Sequence, residues 1–246
     1  MRFNIVFSLL VIMFFSCQKK KDYSLVQIFG HAGNGLNISN SIYHDNTKNS
    51  VHLAISQNGC DGVEVDVQIS ADGTCWLFHD PILEVETDGV GCINSKSDSD
   101  IENLKYKTLK SEKLTKLLDL EMNGKSLFLD LRHSNSCENS LVDLDKFKSH
   151  IEMLFANNPT SKIYLNTNYK PWLLELKSLD MEIVYSPSET ENIDEVASSY
   201  EINSFIYKNQ EIDKSNVDKY KNKGYSIFIF EIRSPKGIRS ALKKYP

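Results

Sequence analysis

The chain predicts a parallel α/β fold built from strand–helix units. Three observations lead there. Short strand-like runs recur along most of the sequence, separated by segments whose apolar residues fall at helical spacing. Several of those strands are almost continuously apolar, as strands buried on both faces of a parallel sheet are. The 246 residues, 41% hydrophobic and 25% charged, have an ordinary globular composition. One α/β barrel of typical size takes about 250 residues, so a single domain is expected.

Taken in order, Leu25–Phe29 reads as the first strand, ending at Gly30-His31, and a loop rich in Gly and Asn follows to Asn49. Ser50 is the expected N-cap of a helix to about Gln57, closed by Gly59. Val63, Val65, Val67 and Ile69 alternate with Glu64, Asp66, Gln68 and Ser70. That period of two predicts a strand with one apolar face and one face carrying two carboxylates. Ala71-Asp72-Gly73-Thr74 is a tight-turn signal, and the apolar return Cys75–Phe78 delivers His79-Asp80-Pro81. Ile82–Lys113 is long, polar and without strong periodicity, the mark of a functional or disordered insertion. Thr115–Met122 predicts a short helix. In the strand Lys125–Arg132, Leu127, Leu129 and Leu131 share one face while Phe128, Asp130 and Arg132 share the other. Further strands are expected at Lys162–Asn166, Glu182–Tyr185, Ser204–Tyr207 and Tyr225–Ile232. They alternate with helices at Val142–Asn157, Pro171–Leu179, Ile193–Tyr200, Asp213–Lys223 and Lys236–Lys244.

The first 16 residues are expected to lie outside this fold. Arg2, the apolar run Ile5–Phe15 and the sequence Phe14-Phe15-Ser16-Cys17 look like a bacterial lipoprotein signal, cleaved before Cys17, whose thiol would carry the lipid. Residues 17–23 then form a polar tether and residues 24–246 the barrel domain. The expected location is exported and lipid-anchored to a bacterial membrane, periplasmic or on the outer surface. No later apolar run is long enough to span a bilayer. A net charge of −5 argues against nucleic acid as the main partner. Export implies an oxidising compartment. Cys60, Cys75, Cys92 and Cys137 then allow three full pairings, with buried free thiols equally open, and none has zinc-ligand spacing.

Glu64 and Asp66 point the same way from one strand and repel each other unless a cation lies between them. For two isolated acids a solvated strand face is the plainer reading. Here, however, a hairpin brings His79 back towards them. Glu64-Val65-Asp66-Val67, the Asp72-Gly73 turn and His79-Asp80-Pro81, preceded by His31-Ala32-Gly33, resemble the glycerophosphodiester phosphodiesterase family over about residues 24–245. The resemblance implies a (β/α)8-type TIM barrel with a hairpin and loop insertion after its second strand. It implies metal-dependent hydrolysis of glycerophosphodiesters to glycerol 3-phosphate and an alcohol. Glu64, Asp66 and Asp130 would bind a divalent metal, His31 and His79 would be the acid–base pair, and Arg132 would hold the substrate phosphate in place of the family's Lys. The residue types suit those roles. Three carboxylates form a hard oxygen set for Ca2+ or Mg2+. Histidine titrates nearest neutral pH, and a guanidinium grips phosphate through two parallel hydrogen bonds. Which histidine is acid and which is base stays open. His44, His52, His133 and His150 match no motif and are read as surface or packing residues.

The chain departs from the family pattern at several points. Asp130 is one methylene shorter than the family's Glu, and Ala32 stands where the family has a phosphate-contacting Arg. The ENT motif is present only as Ser39-Asn40-Ser41, without its glutamate, and Phe228–Arg233 replaces a strand containing Trp-Thr. These departures motivate an alternative, a degenerate lipoprotein that binds a phosphodiester or glycan without turnover. Family members also close the barrel with an eighth strand, whereas here the helix Lys236–Lys244 leads to Pro246. Seven parallel barrel strands are therefore expected, with a gap between Leu25–Phe29 and Tyr225–Ile232.

Overall fold

The structure, a computed structural model, describes residues 23, 25–38, 40–108, 112–232 and 234–244. The predicted signal segment, Cys17, nearly all of the tether and Ser39 lie outside the described residues.

In chain order the strands are β1 (Phe29–Gly30), β2 (Gly62–Ile69), β3 (Cys75–Leu77), β4 (Thr115–Lys116), β5 (Ser126–Leu131), β6 (Ser134–Asn135), β7 (Ser140–Leu141), β8 (Ile163–Thr167), β9 (Glu182–Tyr185), β10 (Ser204–Lys208) and β11 (Ser226–Phe230). The helices are α1 (Lys48–His52), α2 (Asp98–Ile101), α3 (Leu144–Asn157), α4 (Pro171–Leu176), α5 (Ile193–Tyr200), α6 (Lys214–Asn222) and α7 (Pro235–Lys244). Seven strands pair in parallel, in the order β1-β2-β5-β8-β9-β10-β11. Among the described residues β1 and β11 do not pair with each other, so the expected strand count and gap both hold. The two strands are nevertheless close. The Phe29 ring lies 6.4 Å from that of Phe228 and 5.7 Å from that of Tyr164. The sheet therefore curls far enough for side chains to meet where backbones do not, as a TIM barrel requires.

The period of two sorts the strands into two cores. Val63, Val65, Val67, Leu127, Leu129, Leu131, Ile163 and Leu165 belong to the main core, with Phe147, Ile151 and Leu154 of α3 and Trp172, Leu173 and Leu176 of α4. Helix α3 forms because those apolar residues recur at three- and four-residue spacing and Asp143 caps its first turn by accepting from the Asp145 N–H. The alternate positions point into the barrel. Phe128, Tyr164 and Val184 pack there with Phe29, Ile206 and Phe228. Register then sets the polar layer: Asp66 lies opposite Asp130, and Asp130 opposite Asn166. One step back along the strands, Glu64 lies opposite Phe128, which lies opposite Tyr164. The Asp66, Asp130 and Asn166 row thus sits on a row in which Glu64 adjoins two aromatic rings.

Three expectations need correction. The first strand is only Phe29–Gly30; Leu25 is almost fully exposed and has no strand neighbour to pair with. The N-cap of α1 is Thr47, whose hydroxyl accepts from the Ser50 N–H, and after His52 the helix widens into a π-type turn over Leu53–Gln57. Thr115–Met122 is not a helix: Thr115–Lys116 pairs antiparallel with the hairpin return and only Leu117–Asp119 makes a 3-10 turn. There the sheet edge outweighs helical propensity. The long polar insertion is folded where described. It carries its own apolar cluster of Leu83, Ile93, Ile101 and Tyr106 against Trp76 and Phe78 of the hairpin. Asp98 fastens it by accepting from Ser70 Oγ (2.6 Å), Trp76 Nε1 (3.1 Å) and Thr74 Oγ1. A disulfide between Cys92 and Cys137 ties it to the loop between β6 and β7, while Cys60 and Cys75 are free thiols. Among the described residues no helix is long and apolar enough to cross a membrane.

Candidate active site

The polar layer lies towards the C-terminal ends of β1, β2 and β5, where barrel enzymes place their chemistry. The turn after β1 carries His31. Its shape depends on Gly33, whose φ is +86°; a Cβ there would stand 2.6 Å from Ser50 Oγ and 2.9 Å from the Val51 nitrogen. Only glycine fits both the left-handed backbone and that approach. The turn is also pinned to β2, because the Gly33 N–H donates to the Glu64 carbonyl (3.0 Å) and the Ala32 N–H to Glu64 Oε2 (2.8 Å). His31 Nε2 lies 3.7 Å from the same Glu64 oxygen. Ala32 is fully buried, so this position offers Glu64 a backbone donor and no side-chain cation.

Carboxylate oxygens of Glu64, Asp66 and Asp130 lie within 4.8 Å of one another. Burial, then the charges of Asp66 and Asp130, push the Glu64 carboxyl well above its ordinary range, outweighing the Ala32 N–H and Arg132. The Asp130 carboxyl is raised as well, chiefly by burial, against the pull of the neighbouring Arg132. Three clustered acids, Asp66 buried and Glu64 and Asp130 half-buried, are costly without compensating positive charge. Part of that charge comes from Arg132, whose Nη2 donates to Asp66 and lies 3.3 Å from Asp130. The two aspartates outweigh burial and hold the guanidinium charged. Amides supply further donors: Asn46 Nδ2 to Asp66 (2.9 Å) and Asn166 Nδ2 to Asp130 (2.8 Å).

His79 sits on the strand return after β3. Gln68, buried on β2 one alternation beyond Asp66, donates to the carbonyls on both sides of it, Phe78 (3.0 Å) and Asp80 (2.8 Å). The His79 Nδ1 is 2.8 Å from Asp80 Oδ1. The structure thus brings His31, Glu64, Asp66, Asp130 and Arg132 into one cluster, with His79 near enough to favour the charged form of Asp130.

Two residues were missed by sequence reasoning. Asn46 braces Asp66 from both sides, since its Oδ1 also accepts from the Asp66 N–H (3.0 Å). Its signal was present: Asp45-Asn46-Thr47 is an acid-amide-hydroxyl triplet set directly at a helix start, a better match to the missing motif than Ser39-Asn40-Ser41. Gln68 was read only as the polar half of an alternation, and nothing local marks it as the anchor of the histidine loop.

The sequence model of the glycerophosphoryl diester phosphodiesterase family matches residues 31–246, and the chain belongs to that family. Among solved structures it is similar to an Oleispira antarctica phosphodiesterase in complex with the product sn-glycerol-3-phosphate. The two share 25% identity over 91% of this chain and 90% of that one, with a TM-score of 0.74. A glycerophosphodiester phosphodiesterase from Thermotoga maritima shares the fold at 19% identity over 89% and 91% of the chains, TM-score 0.68. One from Parabacteroides distasonis does so at 18% identity over 81% and 82%, TM-score 0.63. No curated protein matches the sequence.

Proposed function

We propose that the protein hydrolyses glycerophosphodiesters to glycerol 3-phosphate and an alcohol, with a divalent cation, Ca2+ or Mg2+, held by Glu64, Asp66 and Asp130. The observation that carries this reading is the convergence of three carboxylates within 4.8 Å of one another beside His31. The fit rests on the donors themselves: three hard carboxylate oxygens close together, with the charged forms of Glu64 and Asp130 disfavoured until positive charge is added. Glu64, Asp66 and Asp130 would hold such an ion, and with it would come positive charge to offset what builds on the phosphate oxygens.

The chain's own groups do the rest. A carboxylate only accepts hydrogen bonds, so the contact with Asp80 assigns the proton to His79 Nδ1 and leaves Nε2 to give or take a proton. His31, fixed by the Gly33 turn, is the second proton carrier. Arg132 keeps one positive charge beside Asp66 and Asp130, next to where a phosphate would enter, and is the candidate phosphate-binding side chain. The similarity to the phosphodiesterase solved with sn-glycerol-3-phosphate supports the substrate class. Incubation with glycerophosphocholine should release glycerol 3-phosphate. Binding of the diester without turnover would favour the degenerate-binder alternative raised by Ala32.

The same proposal places the enzyme outside the cytoplasm, anchored by a lipid on Cys17. The Cys92–Cys137 disulfide supports an oxidising compartment. Cys17→Ala should shift the protein from the detergent phase to the aqueous phase in detergent partitioning. Equal partitioning of the two proteins would count against the anchor.

A further inference from the structure

A second cluster of candidate ligands lies outside the triad. His44 and Asp45, from the loop that leads into α1, meet Glu86 of the insertion, and one ligand atom from each lies within 4.8 Å of the other two. The His44 Nδ1 is 3.3 Å from Asp45 Oδ1 and 3.0 Å from the Asp45 carbonyl. No lysine or arginine among the described residues pairs with either carboxylate.

Two further atoms are anomalous at this spot. Asp45 is only 6% exposed, and its Oδ2 is satisfied by the Asn37 N–H at 2.7 Å, yet its Oδ1 accepts no hydrogen bond among the described residues, the His44 Nδ1 at 3.3 Å being an ion-pair contact alone. The Tyr106 hydroxyl is likewise buried and without a partner, on a ring that stacks against His44 at 3.5 Å. A buried oxygen with a free lone pair, an unpaired phenol and a nearby carboxylate each carry a cost that a bound group would remove. The other polar contacts of these residues are already made: the His44 N–H donates to Glu112 (2.7 Å) and the His44 carbonyl accepts from Thr47 (2.7 Å).

We infer that His44, Asp45 and Glu86, with the Tyr106 hydroxyl beside them, form a second divalent-cation site that clamps the insertion onto the barrel. The ligand chemistry differs from that of the triad. One imidazole with two carboxylates suits a borderline ion such as Mn2+ or Zn2+, whereas three carboxylates suit Ca2+ or Mg2+. Its place gives it a structural role. Glu86 and Tyr106 belong to the insertion, and Asp45 and His44 precede Asn46 and Thr47, which brace Asp66 and cap α1. An ion here would hold the insertion against the loop that supports the triad.

The test is Mn2+ stoichiometry, read by calorimetry and by the electron paramagnetic resonance signal of free Mn2+, on the full-length parent, Glu86→Gln and Glu64→Gln. Glu86→Gln should bind one equivalent fewer than the parent, whatever the triad holds. Glu64→Gln should keep that equivalent. If the triad binds no Mn2+, the parent binds one ion and Glu86→Gln none, so failure of the proposed catalytic metal is read separately from failure of this site. Tyr106→Phe, which keeps the ring stacked on His44, should weaken binding while the circular dichroism spectrum stays that of the parent. Equal stoichiometry in the parent and Glu86→Gln would overturn the site, leaving a cluster satisfied by protons or water alone.

Discussion

Two acidic clusters lie within electrostatic reach of His79, and they meet the same problem with different neighbours. Around Glu64, Asp66 and Asp130 the chain aims donors: the Ala32 N–H, two asparagine amides and a guanidinium. Around Asp45 and Glu86 it supplies one imidazole, 3.3 Å from an Asp45 oxygen that accepts no hydrogen bond among the described residues, and leaves a buried phenol without a hydrogen bond. The difference teaches how to separate a preorganised site from one that depends on an added ion. The first keeps its geometry through hydrogen bonds on rigid strands. The second joins a loop to an insertion.

The strongest way to break the comparison is to remove charge from the first cluster. Glu64→Gln and Asp66→Asn should abolish turnover and metal binding at the triad while leaving the fold intact, because Val63, Val65 and Val67 on the opposite face are untouched. His31→Ala and His79→Ala should keep the metal and lose activity by about 10²- to 10⁴-fold each. Calorimetric titration of Ca2+ into the four variants checks the split; parent-like binding in the Glu64 variant would show the ligand assignment to be wrong. A smaller effect is expected one layer out. Asn46→Ala removes both braces from Asp66 and should cost about 10- to 100-fold in metal affinity, measured the same way.

These residues also show how far sequence alone reaches. The carboxylates and histidines were legible because an alternation of two forces Glu64 and Asp66 onto one face and a tight turn returns His79 to them. The seven parallel strands were legible for the same reason, through runs such as Leu127, Leu129 and Leu131. Gln68 and Asn46 were not singled out, since their roles arise from contacts across 10 and 20 residues of chain. The insertion was opaque because its apolar residues are scattered. Leu83, Ile93, Ile101 and Tyr106 make a core only once folded onto Trp76, and the Cys92–Cys137 pairing was one of several open choices.

That disulfide offers a way to sharpen the contrast. It joins cysteines 45 residues apart, so Cys92→Ser with Cys137→Ser should lower stability to denaturant by about 2–4 kcal/mol. Because it tethers the insertion, loosening should be felt at Glu86 and Tyr106 before it reaches the triad. Hydrogen exchange at the insertion amides checks this.

The smallest effect concerns pH. In chelated protein, burial and then Asp45 and Asp80 push the Glu86 carboxyl from an ordinary value of 4.5 up to about 7. The folded state thus binds this proton more tightly than the unfolded state. Its stabilising contribution is full below about 4.5 and is lost as pH rises through about 7. Glu86→Gln should flatten the melting temperature over that window, and an unchanged slope would remove Glu86 as its source.

The central claim is that hydrolysis depends on a cation held by Glu64, Asp66 and Asp130. The most direct measurement is glycerol 3-phosphate release from glycerophosphocholine by the parent enzyme before chelation, after EDTA, and after Ca2+ or Mg2+ is restored. The account predicts turnover that EDTA abolishes and the divalent ion restores, with no restoration in Glu64→Gln. Turnover that persists undiminished in EDTA, with metal removal confirmed by elemental analysis, would contradict it.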